Sequence, residues 1–184
     1  MDNKRTRFEG IALPYTAALY HVALRWTKNP EDASDLVQET YLRAYQNFAS
    51  FSEGTNCKAW LFTIMYSIFV NQYRKKQREG PVMSNDEIEQ KYYSSLNTMA
   101  EQELNIKWVG KEVEQALDQL PEIFRTPIIL VDANGFTYEE AAQVLNCPVG
   151  TLRSRLFRAR KILYVSLKEC AQSLGYLPKK KSEL

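Results

Sequence analysis

The sequence predicts an all-α protein of two small helical domains joined by a flexible acidic linker, the second domain containing a helix-turn-helix. Three observations carry that prediction. Apolar residues recur at spacings of three and four through most of the 184 residues, which is the helical period. No stretch shows the two-residue alternation of a strand. Residues 79–103 break the periodicity and carry six acids against the single base Lys91, dividing the chain into 1–78, a linker over 79–103, and 104–184. At this length each domain has room for a modest core.

In chain order, residues 1–10 are polar and read as loosely held until Phe8. Tyr15, Leu19, Val22, Ala23 and Trp26 then predict a helix from about Ile11 to Lys28. Asn29-Pro30-Glu31-Asp32 is a helix start: a cap, a proline in the first turn, and acids at the positive end of the dipole. That helix runs to about Phe48. Ala33, Leu36, Val37, Ala44, Tyr45 and Phe48 are available for burial, and Asp32, Asp35, Gln38, Glu39 and Arg43 are left for the other side. Ala49 to Asn56 has loop composition. Lys58 to about Arg78 is an aromatic-rich helix with Leu61, Ile64, Met65 and Ile68 on one face and Phe62, Tyr66, Phe69 and Tyr73 on the next. Its polar stripe is Thr63, Ser67, Asn71 and Arg74. Aromatics beside cations can stack unpaired bases; here they are expected to be mostly packed, leaving the polar stripe and the preceding loop for nucleic acid.

Beyond the linker, Leu104, Trp108, Val113, Leu117 and Leu120 mark one helix, and Pro121 starts another through Phe124, Ile128 and Val131, ended by Asn134-Gly135. The stretch from Gly135 to Leu163 follows. Thr137 caps a helix and Glu140 closes a capping box; Asn146 suits a turn, and Pro148 suits the first turn of a second helix. In that helix Val149, Leu152, Leu156, Ala159 and Leu163 form one stripe, and Gly150, Arg153, Ser154, Phe157, Arg158 and Lys161 fall opposite. Arg155 and Arg160 flank them, so five cations lie between residues 153 and 161 with no acid among them. Helix, tight turn and cationic helix match a helix-turn-helix that lays its second helix in the major groove. A solvated basic face on an ordinary bundle helix is the competing explanation.

The net charge of +2 is small, so basic surface is local: residues 74–78, residues 153–161 and the tail Lys179–Lys181. Cys57, Cys147 and Cys170 share no metal-ligand or redox spacing and are expected to remain thiols in a reducing cytoplasm. No signal peptide and no membrane-spanning apolar run is read, and a cytoplasmic protein is expected. His21, the only histidine, has no partner for catalysis. With no phosphate-binding glycine loop, metal spacing or nucleophile–base pairing, an enzyme is not expected, nor a metal, a cofactor or a small-molecule substrate.

Four motifs in order carry a family resemblance. Residues 32–45 (DASDLVQETYLRAY) closely resemble the polymerase-docking helix of bacterial sigma factors. KAWLFTI at 58–64, followed by YRKKQR at 73–78, resembles their promoter-melting helix. LPEIFR at 120–125 and CPVGTLRSRLFRAR at 147–160 resemble the domain that reads the upstream promoter element. Their order and the short linker are similar to the extracytoplasmic-function (ECF) group, over about residues 8–170. Ser67 stands where many members have asparagine.

The resemblance implies an alternative sigma factor that binds core RNA polymerase, directs it to promoter DNA and helps melt it, under anti-sigma or stress control. It implies polymerase docking through Asp35, Leu36, Gln38 and Glu39. It implies capture of a flipped base of the minus-ten strand by Phe51, Ser52, Glu53, Gly54, Thr55 and Asn56 with Ser67, Asn71 and Arg74. It implies reading of the minus-thirty-five element by Arg153, Ser154, Phe157 and Arg158, with Thr151, Arg155 and Lys161 nearer phosphates. Core polymerase, promoter DNA and an anti-sigma factor are the implied partners, without membrane insertion. A helix-turn-helix regulator that is not a polymerase subunit would explain 135–163 but not the 32–45 helix. A helical adaptor or anti-sigma antagonist would explain that helix but not the arginines.

Overall fold

A computed structural model describes residues 2–52, 54–77, 87 and 111–173, with side chains described for 4–52, 54–72, 87 and 112–168. Among the described residues all regular structure is helical. The elements are α1 (Asp2–Ala12), a 3₁₀ turn (Leu13–Tyr15), α2 (Thr16–Thr27), α3 (Pro30–Gln46), a 3₁₀ turn (Phe48–Ser50) and α4 (Cys57–Gln77), then α5 (Lys111–Gln119), α6 (Glu122–Ile128), a π turn (Ile129–Ala133), α7 (Tyr138–Val144) and α8 (Val149–Ser173). Two compact units result: one from Met1–Val82 with Phe136–Val149, the other from Met83–Gly135 with Gly150–Leu184.

In the first unit α2, α3 and α4 pack on one another, and α1 lies against α4. The start of α3 follows from its sequence: Asn29 Oδ1 accepts the amides of Glu31 (2.8 Å) and Asp32 (3.1 Å), and Pro30 needs no donor partner there. Ala33, Leu36, Val37, Thr40 and Ala44 turn inward. They meet Leu61, Phe62, Met65, Ile68 and Phe69 of α4 and Leu19, Val22, Ala23 and Trp26 of α2 in the buried core of the unit. The Trp26 ring stacks on Phe69 at 5.2 Å and meets Tyr66 edge-on at 5.6 Å. So the aromatic stripe of α4 is packed at Phe62 and Phe69, and each such side chain contributes about 1.5–3 kcal/mol by burial. Tyr73 and Arg74 lie on the helix, with side chains outside the described residues.

The N-terminus differs from expectation. Residues expected to be loosely held form α1, because Phe8 is buried edge-on among Tyr41, Tyr45 and Phe48 at 6.2, 5.3 and 5.3 Å. The helix expected from Ile11 is interrupted by the 3₁₀ turn, since Pro14 has no N–H to continue the ladder.

Phe136–Val149 packs on α4 in this same unit. The expected capping box is present: Thr137 Oγ1 accepts the Glu140 amide (3.2 Å), and Glu140 Oε2 accepts the Thr137 amide (2.9 Å). Ala141, Ala142, Val144 and Leu145 are buried, and Asn146 takes the left-handed turn (φ 48°) that lets the chain leave α7.

In the second unit Val113, Ala116, Leu117 and Leu120 line the buried face of α5 and its end, and every residue from Ile123 to Leu130 is buried. Pro127 sits inside α6, and the helix widens into the π turn directly after it. Asn134 closes that end by donating Nδ2 to the Ile129 carbonyl at 2.7 Å. Of the predicted α8 stripe, Leu152, Leu156, Ala159 and Leu163 are buried and Val149 is half-buried. Leu104, Trp108, Cys170 and most of 79–103 lie outside the residues with described side chains.

Candidate functional site

Three surfaces gather the residues singled out in the sequence. The first is an open groove of about 670 Å³ between α3 and α4, lined by Asp35, Gln38, Glu39, Leu42 and Arg43 on one side and Ile68, Asn71 and Gln72 on the other. Arg43 Nε donates to Glu39 Oε1 at 2.6 Å, an i,i+4 pair that holds both side chains along the rim. Asp35 and Gln38 are exposed, but Leu36 is fully buried. Its expected place on the docking surface is corrected: at 100° per residue it belongs with Ala33, Val37 and Thr40, facing the core. The apolar element of the rim is instead Leu42, 53% exposed.

The second surface is the loop entering α4. Phe51 is half-buried between the rings of Phe48 (6.1 Å) and Trp60 (4.7 Å). That stack anchors a loop whose Ser52, Gly54, Thr55 and Asn56 are exposed; Glu53 lies outside the described residues. Gly54 adopts φ 91°, a conformation that favours glycine, and Thr55 returns both its amide (3.2 Å) and its hydroxyl (2.7 Å) to the Ser52 carbonyl. Asn56 Oδ1 accepts the Ala59 amide at 3.0 Å and so caps α4. Its Nδ2 donates to Glu140 Oε1. Cys57, next in sequence, is a buried free thiol whose pKa is pushed up by burial. Ser67 and Asn71 are exposed further along α4; the Ser67 hydroxyl donates to the Ile64 carbonyl at 2.8 Å.

The third surface is the polar side of α8. Arg153 and Phe157 (41% exposed) point outward, and Thr151, Ser154, Arg155 and Arg158 are half-buried. The Ser154 hydroxyl donates to the Thr151 carbonyl at 2.9 Å. Two cations differ from expectation. Lys161 was expected on the outward face but is only 9% exposed, its ammonium 5.8 Å from the Phe157 ring, so its stem lies back over the preceding turn. Arg160, expected to flank that face, forks onto Asp132 through Nη2 (2.7 Å) and Nε (3.1 Å).

Residues 13–79 match Sigma-70 region 2, and residues 110–163 match Sigma-70, region 4. The ECF RNA polymerase sigma factor EcfG of Rhodopseudomonas palustris is 42% identical over 147 residues, covering 78% of this chain and 77% of that one. The chain belongs to the ECF sigma factors. The ECF RNA polymerase sigma-E factor of Escherichia coli K12 is 33% identical over 72% of both chains. Among solved structures, the sigma factor RpoE of Bartonella quintana, in complex with the anti-sigma factor NepR, superposes with a TM-score of 0.64. It is 35% identical and covers 85% of this chain and 93% of that one. CnrH, solved with the cytosolic domain of CnrY, shares the fold at 23% identity and a TM-score of 0.61 over 90% of each chain.

For this ECF sigma factor, the first two surfaces lie within the region 2 match, and the third within the region 4 match up to residue 163. Leu42, the Arg160–Asp132 fork and the Asn56–Glu140 bond were not found in the sequence. Leu42 had a usable signal, since it lies three residues beyond Glu39 on the same side of the helix. Among the described residues no helix is long and apolar enough to cross a membrane.

Proposed function

We propose that this ECF sigma factor docks on core RNA polymerase through the α3 rim of Asp35, Gln38, Glu39 and Leu42, with Leu36 supporting it from beneath. The minus-ten strand is held by the Phe51–Asn56 loop with Ser67, Asn71 and Arg74. The minus-thirty-five element is read by Arg153, Ser154, Phe157 and Arg158, with Thr151, Arg155 and Lys161 toward phosphates. Residues 1–78 and 104–184 are the two functional domains, and 79–103 the linker. The protein acts in the cytoplasm as an initiation factor rather than an enzyme. The solved relatives are bound to an anti-sigma factor, NepR, and to the cytosolic domain of CnrY; by similarity, release from an anti-sigma partner controls this chain.

The observation that supports the reading is the shared groove: Asp35 and Glu39 of α3 and Asn71 of α4 line the same opening. One rigid helix pair thus presents both partners in fixed register. Co-purification with core polymerase tests it. Asp35→Lys with Glu39→Lys, and separately Leu42→Ala, should lose polymerase while helical content is unchanged. Leu36→Ala should instead destabilise the fold by about 2–5 kcal/mol. Retention of polymerase by both surface variants would move the docking site off α3.

A further inference from the structure

A second opening, of about 550 Å³, lies between the turn that follows α1 and the loop that enters α4. Gly10, Pro14 and Tyr15 line it from the α1 side, and Phe51, Gly54 and Thr55 from the loop. Its walls are tied in place. The Cys57 thiol donates to the Ile11 carbonyl at 3.7 Å, joining the end of the loop to α1. The Tyr41 hydroxyl donates to the Ala12 carbonyl at 3.2 Å and the Thr16 hydroxyl to the Leu13 carbonyl at 2.7 Å, which fixes the turn carrying Pro14 and Tyr15. Gly10 stands inside α1, where glycine is the poorest residue after proline. A Cβ there would meet no neighbouring group within 4 Å, so packing does not ask for glycine, and the space in front of it belongs to the opening.

We infer that this opening takes one unpaired base of the melted promoter strand, with Tyr15 as its stacking surface. This rests on placing the Phe51–Asn56 loop on that strand. No described residue lining the opening has a charged side chain, so a phosphate or a metal ion finds no match there, whereas a flat, neutral ring does. The Phe51 ring is already engaged by Phe48 and Trp60. Tyr15 is half-buried and enters no ring pair among the described residues, which leaves its face to an incoming base. For the base edge there are two hydroxyls, those of Tyr15 and Thr55; the Thr55 proton goes to the Ser52 carbonyl, and its oxygen still accepts. Ser67 and Asn71 do not line the opening, so the base it takes is a different nucleotide from any they meet. Arg7, exposed on α1 three and four residues before Gly10 and Ile11, stands on the same side of that helix for the adjoining phosphate.

The test uses holoenzyme reconstituted with the full chain and a promoter fork whose duplex ends in a single-stranded non-template tail, each tail position being made abasic in turn. Tyr15→Ala should weaken binding of the intact fork about tenfold. At one tail position, and only there, the abasic fork should cost this variant nothing further. Tyr15→Phe keeps the ring and should keep the affinity. Gly10→Leu fills the opening with a better helix former, so it should fold at least as well as the unaltered chain and lose affinity at the same position. Polymerase binding without DNA should be unchanged in all three. If circular dichroism shows lost helix in Tyr15→Ala, Gly10→Leu decides alone. Equal loss at every tail position in Tyr15→Ala, or full affinity in Gly10→Leu, overturns the base pocket. Loss of polymerase binding without DNA also overturns it and gives the opening to a polymerase segment. Asn56→Ala separates the pocket from the loop. If that variant alone shows a loss tied to a tail position, the pocket falls and the loop keeps its place on the strand; if none of the variants does, both fall.

Discussion

Arg160 and Arg153 lie seven residues apart on one helix, the first paired with Asp132 and the second exposed, and the proposed function gives them opposite tasks. Arg160 is the place to test that division. Its fork onto Asp132 has side chains 25% and 17% exposed, between a surface pair worth about 0.2–1 kcal/mol and a buried pair whose breakage costs about 3–5 kcal/mol. Arg160→Ala should therefore destabilise the region 4 unit by about 2 kcal/mol. Arg160→Lys should lose part of that, because an ammonium keeps the charge but not the two-pronged geometry. A double-mutant cycle with Asp132→Ala should return a coupling of about 1–2 kcal/mol. A chain of two units need not unfold in one step, so the assay is native-state hydrogen exchange resolved over 111–135 and 150–168. Promoter selectivity of the reconstituted holoenzyme should be unchanged. Full stability in Arg160→Ala together with altered preference at particular base pairs would refute the argument and return Arg160 to the DNA face.

Arg153→Ala should do the reverse: spare stability, cost about 1–3 kcal/mol of holoenzyme binding and relax preference at particular positions of the upstream element. Lys161→Ala should weaken all sequences alike and flatten the salt dependence by about one counterion if its covered ammonium turns out to a phosphate in the complex; an unchanged slope would leave it as packing for Phe157. Alanine at both Asn56 and Asn71 should permit closed complexes but reduce strand opening, read by permanganate reactivity of unpaired thymines, and normal opening would move the base pocket elsewhere. The Glu140 carboxyl is held below the usual glutamate range, chiefly by the Thr137 amide and also by Asn56. A depressed folded pKa means the contribution is present above the unfolded value and lost as pH falls through the folded one. Exchange protection of α7 should thus drop on acidification below the ordinary glutamate range, and Glu140→Gln should remove that dependence.

What could be read in the sequence was whatever lies within four residues of itself. Asn29 capping α3 and Thr137 with Glu140 boxing α7 are contacts between near neighbours, so residue type and spacing define them. The stripe of α8 is legible for the same reason. Phe8 was not: its partners Tyr41, Tyr45 and Phe48 lie 33 to 40 residues onward, and a polar decapeptide gives no hint that one aromatic will draw it into a helix. Leu36 shows a different failure. Periodicity alone put it among the residues available for burial, and the family resemblance put it among the docking residues; the helix geometry decides for burial.

The charge run from 153 to 161 is where this limit bears on function. Five cations without an acid look alike when only local spacing is visible, because the carboxylate that distinguishes Arg160 is 28 residues away. The bond between Asn56 and Glu140 spans 84 residues, so nothing near either residue could announce it. In both cases the distant partner is an acid, and in both it engages a polar group that local spacing alone leaves unpartnered. Asp132 holds a guanidinium of its own compact unit, and Glu140 holds the side-chain amide of Asn56. A change at Asn56 would leave the fork intact, since Arg160 and Asp132 belong to the other compact unit. The two contacts therefore predict different behaviour on promoter engagement: exchange near Asn56 should change when DNA binds in the holoenzyme, and exchange around Asp132 should not.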